Sequence, residues 1–369
     1  MTSGLRAPIL NKMTKFLIRT TGLLKIMIMM NIQINFWKNK PFHLFLIFIL
    51  FGSGCAKPTD PISLEPDNGG YTIVGRYETQ GFAQDVLKKG DLAYITQGEG
   101  GLLIADVSNP ANPVAVSTTT EDVRGYSTKI LMKDSAVYIA TGSFGVTVVN
   151  VSNPLHPVVT ASNTSMKPAK NLHILGDYLF TAISETGVKI ANISEVLYPD
   201  PRTSIQTSGY AMGVCTSLDS NLLLVACGEM GLQVFDISNF SQGFGTYPFV
   251  GNCDTKGYAE AITLSNTSPI AFMACGTAGL QIVNFADTNH IFVTGSYSTG
   301  GYAKDLIYEN GKVFITTEGR GLQIIDVSDV SNPVLIGVVK TSFALGLDVD
   351  PSYIYVADED EGLIIIARP

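Results

Sequence analysis

Three charged residues, Asp85, Lys129 and Asp305, stand at one recurring position of this chain, two residues past a recurring alanine position. The equivalent residues elsewhere are Asn171, Gly213, Ala261 and Gly346. Variation of that kind, at a position that lines an inner strand, is where a ligand site would be written. Two acids held close with shifted pKa values would also suit the acid–base chemistry of a polysaccharide lyase or hydrolase. A second set recurs just upstream: Phe82, Tyr126, Tyr210, Tyr258, Tyr302 and Phe343, with Pro168 in the remaining copy. Acids recur in the turns that follow, at Glu99, Glu185, Glu229, Glu318, Asp358 and Asp360. Aromatic rings beside carboxylates grip sugars or cationic groups. The same aromatics also suit a wedge between adjacent repeats, because repeats keep packing residues in register.

Other chemistries find little support. The four histidines, His43, His156, His173 and His290, are scattered. Neither His-Glu-x-x-His nor Gly-x-Ser-x-Gly is present, which removes the strongest signals for a zinc hydrolase or an α/β-hydrolase. The run Gly98-Glu99-Gly100-Gly101 is followed by a strand-like segment, where a dinucleotide loop would open a helix. The turn Asp358-Glu359-Asp360-Glu361-Gly362 could offer Ca²⁺ oxygen ligands through Asp358 and Asp360, or be a solvated turn. No cofactor is expected. Cys227 and Cys275 fall at one repeat position, as small buried residues do; the pairing of Cys215, Cys227, Cys253 and Cys275, if any, stays open.

The elements that must position these residues are seven copies of strand, turn, strand. Their second strands open at Gly101, Gly145, Gly187, Gly231, Gly279, Gly321 and Gly362, with steps of 44, 42, 44, 48, 42 and 41 residues. That period with strand-like content alone predicts an all-β, seven-bladed β-propeller, each blade a meander of strands A to D. The last copy ends after its third strand, and Tyr71–Phe82 looks like the D strand of other copies. The N-terminal strand should therefore complete the last blade and close the ring, leaving no open edge. In a meander the D–A and B–C connections emerge on one side, so the aromatics and turn acids should share one face.

The motif GLLIADVSNPANPV from Gly101, repeated as GVTVVNVSNPLHPV and GLQIIDVSDVSNPV, resembles the LVIVD repeat of bacterial and archaeal surface proteins. The resemblance spans 71–369 and implies an extracytoplasmic propeller without agreed catalytic residues. Blades three, four and five depart from it, because none reaches an Asn-Pro corner like Asn109-Pro110.

Residues 1–55 read as an export signal: no Asp or Glu up to Gly54, basic residues ahead of the apolar run Phe42–Phe51, then Gly52-Ser53-Gly54-Cys55. Cys55 is the expected lipidation site, and the start is expected near Met27, Met29 or Met30. Residues 56–70, rich in Pro, Asp and Ser, read as a flexible tether, and 71–369 as the propeller. Seven of the 24 basic residues precede Cys55, so 17 face 32 acids in the remainder, a net charge of −15. Such a surface repels nucleic acid. The expectation is a lipoprotein of the outer membrane or cell surface, with the periplasmic face as the alternative. It would be a non-catalytic platform for envelope proteins or glycans, attached to the membrane through its lipidated cysteine. The alternatives are the carbohydrate-active enzyme above and a structural subunit of an envelope complex. Metabolic labelling with a fatty-acid analogue checks the anchor: Cys55→Ser is expected to lose the label and to shift the protein from the membrane to the soluble fraction.

Overall fold

The computed structural model of the protein describes residues 67–119, 123–240 and 245–369; Cys55, the expected signal and most of the tether lie outside them. Seven four-stranded antiparallel sheets follow one another along the described chain. The first blade is built of Asp85–Lys89, Leu92–Thr96, Leu102–Asp106 and Val114–Thr119. Its innermost strand has counterparts in Lys129–Lys133, Asn171–Leu175, Gly213–Thr216, Ala261–Leu264, Tyr302–Glu309 and Ala344–Val349. Each of these neighbours the next, and the last neighbours the first, so the inner strands form a ring.

The sequence explains the layering. Strands B and C, such as Ala136–Ala140 and Val146–Asn150, are apolar at almost every position and buried. Both faces of a blade are covered by neighbouring blades, which demands continuous rather than alternating apolar patterning. Strands A and D are mixed, since one lines the central channel and the other the rim.

Closure follows the expected route. Thr72–Tyr77 pairs antiparallel with Gly362–Ala367, from Thr72 opposite Ala367 to Tyr77 opposite Leu363. Arg76 Nε donates to Glu361 at 2.9 Å along this seam.

Two further seams hold blade to blade. At the start of the inner strands of blades two to seven an isolated backbone bridge reaches the B–C turn of the preceding blade: Gly98 to Ser127, Gly142 to Ala169, Ser184 to Ala211, Gly228 to Ala259, Gly276 to Ala303 and Glu318 to Phe343. At the rim, every D strand carries one extra residue relative to its C strand. Such a bulge bends the strand and interrupts its outer ladder, which protects an exposed edge. The extra residue or the one after it meets the C–D corner of the next blade. Ser117 Oγ donates to the Pro154 carbonyl at 2.6 Å, and Thr160 Oγ1 to the Leu197 carbonyl at 3.1 Å. In other blades a glycine lies against the corner: a Cβ at Gly75 would collide with the Pro110 carbonyl, and one at Gly295 with that of Val330.

Gly75→Val is therefore expected to cost about 1–3 kcal/mol through overpacking at the seam between the closing strand and the first blade. Removing Tyr71–Tyr77 is expected to abolish a single cooperative transition. Urea unfolding of the chain from Ala56 onward, followed by circular dichroism, checks both.

Candidate functional site

The channel is lined in layers because the inner strands start in register around the ring. Layer one, at the mouth beside the D–A and B–C turns, is Gln84, Thr128, Lys170, Met212, Glu260, Lys304 and Leu345. Layer two holds the variable position that carries Asp85, Lys129 and Asp305. Below it lies a compartment of about 980 Å³ with Leu87, Leu131, His173, Thr263, Ile307 and Asp348 among its walls. The mouth cavity, counted with its open part, spans about 670 Å³, and layer two is shared by both spaces.

Asp85, Lys129 and Asp305 converge in layer two. Lys129 Nζ lies 2.6 Å from Asp305 Oδ2 and 3.2 Å from Asp85 Oδ2. Asp85 is almost wholly buried, and its Oδ2 also accepts from the Ile130 backbone N–H at 3.1 Å. Its Oδ1 has no partner and is packed against Gly346, where a Cβ would collide with it. Burial pushes the Asp85 carboxyl up to about 7; Lys129 opposes that rise and Asp305 adds to it. Burial alone would lower the Lys129 pKa, but the two carboxylates overcome it and hold the ammonium well above its ordinary range. The crossbar is a closed ion cluster, since the cation fills the space between the acids.

Local structure prepares both acids in the same way. Thr96 Oγ1 accepts from the Asp85 backbone N–H, and Thr316 Oγ1 from that of Asp305, each at 3.0 Å. The corresponding B-strand residue in the other five blades is alanine: Ala140, Ala182, Ala226, Ala274 and Ala357. Thr thus accompanies Asp in two blades out of seven, a pairing visible in the amino-acid sequence by itself.

The aromatics occupy the same face but stand apart from the crossbar, and none of the six lines the mouth cavity. Tyr126, Tyr258 and Tyr302 lie against Gly98, Gly228 and Gly276, the turn glycines of the preceding blades, which is the wedge arrangement. Phe82, Tyr126 and Tyr210 nevertheless remain 55%, 40% and 45% exposed, while Tyr258, Tyr302 and Phe343 are half-buried. Carboxylates surround the rings: burial raises the Tyr126 hydroxyl, helped by Glu359 and Glu99, and the Tyr258 hydroxyl, helped by Glu260, Tyr210 and Glu229. Tyr302 reaches the channel wall with its hydroxyl, which donates to Glu260 Oε1 at 2.6 Å. Lys304 completes that cluster, 3.4 Å from Glu260 and 5.4 Å from the centre of the Tyr302 ring. Sequence reasoning misses Glu260 and Lys304, because they fall one residue before the variable position.

The acid-rich turn is put to structural use. Asp358 is fully buried and accepts from the backbone N–H groups of Phe343, Asp360 and Glu361 at 2.7, 3.1 and 3.0 Å. Those bonds occupy the oxygens that a Ca²⁺ site would use, and Asp360 points to the exposed surface. Among the described residues no group of His, Cys, Asp or Glu is arranged to hold a metal ion. Cys215, Cys227, Cys253 and Cys275 are buried free thiols; burial pushes those of Cys227 and Cys275 up to about 12, far from a reactive thiolate.

The family model described as the LVIVD repeat matches residues 80–120, 124–164, 208–255, 300–341 and 344–366, more than half of the chain. The unmatched stretches contain blades three and five, whose corners depart from the motif; blade four, which also departs, is matched. No curated protein matches. Among solved structures, the computationally designed Ika8 protein is similar at 9% identity and a TM-score of 0.59, covering 81% of this chain and 100% of its own. At that identity the likeness speaks for the fold alone. With 1690 solved chains matching, the architecture is too common to select a function.

Removing Lys129 would take the shared cation from buried Asp85 and part-buried Asp305, so Lys129→Met is expected to cost about 3 kcal/mol at neutral pH, less where Asp85 takes up a proton. The raised Asp85 pKa gives a second expectation. Between pH about 4 and about 7 folded Asp85 keeps a proton that the unfolded chain has lost, so its contribution to stability is full below about 4 and falls as pH rises through 7. Asp85→Asn is expected to remove that decline, as thermal unfolding across this pH range would show.

Proposed function

The chain belongs to the LVIVD repeat family, and from that premise we propose that it is a non-catalytic binding scaffold of the cell envelope, presenting the face of its D–A and B–C turns to an envelope protein or glycan. In this reading a lipid on Cys55 supplies the membrane attachment, and the segment from Ala56 to Gly70 gives the propeller reach from the outer membrane or cell surface. The carrying observation is the state of the crossbar. An acid–base pair needs room between its members for the bond being broken, and Lys129 stands in that room at 2.6 and 3.2 Å from the two carboxylates. The exposed Phe82, Tyr126 and Tyr210 support recognition on the same face.

The enzymatic alternative has one observation in its favour: Asp85, raised to about 7, is joined to a second acid through a single cation. It would require Lys129 to swing away when substrate arrives.

The test is an envelope-glycan array with defined envelope proteins alongside, probed with the chain from Ala56 onward, wild type and Tyr210→Ala/Tyr258→Ala. The scaffold reading expects one ligand to bind wild type and to bind the double variant about tenfold or more weakly, with the variant still folded by circular dichroism and the ligand recovered intact. New reducing ends or unsaturated sugars in the bound glycan would establish the enzyme instead. Binding that is indifferent to the two tyrosines would remove the turn face as the site.

A further inference from the structure

Three ammonium groups line the mouth cavity, and among the described residues one of them, that of Lys170, has no ion-pair partner. Lys304 is paired with Glu260, and Lys129 with Asp85 and Asp305. Lys170, half-buried at the start of blade three, lines the same cavity and has no carboxylate within 4 Å among the described residues. Beneath it Asn171 lines the cavity with a carboxamide that makes no hydrogen bond among the described residues. Layer two carries little side chain here, because Gly213 is packed against the backbone of the next inner strand and Ala261 ends at its methyl group, whereas the opposite side is occupied by the crossbar. Met212 supplies an apolar wall between Lys170 and Glu260.

We propose that this half of the mouth binds one hydroxylated monocarboxylate the size of a single sugar ring, a uronic acid being the simplest example. The carboxylate would pair with Lys170, the ring would lie along Met212, and its hydroxyls would meet Asn171. Charge sets the class. The one unpaired ammonium can make a single ion pair with a monoanion, whereas a phosphate dianion would bring a second negative charge toward the two acids that share Lys129 and toward Glu260. A neutral sugar would leave the ammonium unpaired, and an amino sugar would add a second cation beside it. The global charge of the chain points the same way: at −15 past Cys55 it repels a long polyanion, so a single acidic residue or a chain end is the better fit.

This inference rests on the scaffold reading and narrows its ligand, so the experiment separates the two. Glucuronate, glucose, glucosamine and inorganic phosphate are titrated into the chain from Ala56 onward carrying ¹³C-methyl methionine, with the Met212 signal assigned by Met212→Leu. The expected result is a saturable shift of the Met212 methyl with glucuronate, and a response about tenfold or more weaker with the other three compounds. Lys170→Met is expected to weaken glucuronate binding about tenfold or more, as loss of a charge-assisted contact does, with unfolding unchanged. Lys170→Arg, which keeps the charge, should retain binding. A Met212 shift that glucose matches, or that survives in Lys170→Met, overturns the proposal. So does the absence of any shift; the scaffold reading then stands or falls separately on whether the tyrosine pair still controls a glycan or protein ligand.

Discussion

Each blade is a small sheet that is apolar on both faces, and such a sheet can be stable only between two others. Every feature of the ring answers that requirement. Strands B and C carry the continuous apolar runs, the isolated bridges tie the inner strands of blades two to seven to the preceding turn, and bulged outer strands bring a hydroxyl or a glycine against the next corner. The charged residues gather mainly where a blade has no neighbour, in the channel, the turns and the rim, while buried polar groups such as Gln323 and Asp358 are held by hydrogen bonds. The site is therefore a by-product of closure: seven inner strands that have to converge leave an axial space, and their side chains decide what it holds.

The architecture is legible in the sequence because it is written seven times. The recurring glycine sets the period, and the missing fourth strand of the last copy, with its match at Tyr71–Phe82, sets the closure. The shared position of Asp85, Lys129 and Asp305 is legible for the same reason. Their meeting is not, because a repeat position assigns a layer and says nothing about reach: blade two contributes a side chain long enough to touch acids of blades one and six, and no periodicity contains that length. Thr96 and Thr316 do carry the information, as hydroxyls where the other blades have alanine, but only a reading across two strands of one blade at once picks it out.

The aromatics show the opposite limit. Their recurrence is plain, and recurrence is what packing and recognition have in common. Tyr302 behaves as a strut, bonded to Glu260 and covered by Lys304, while Phe82, at the equivalent point, stands over half exposed. One repeat position thus serves both purposes in different blades, and the neighbouring turn decides which. The same holds for the turn acids, where Asp358 has become an internal acceptor for three backbone amides while Glu99, Glu185 and Glu229 remain on the surface.

The closing strand has a further consequence, in time rather than in space. Arg76 and Glu361, which meet on its seam, are separated by 285 residues of chain. A ribosome or an export channel that delivers the protein from its N-terminus releases the closing strand first, and its partner last. Until then the first blade has one bare face, and no intermediate with fewer than seven blades can hide both ends. The ring therefore closes late, once the last strand has emerged, by a pairing of high sequence separation.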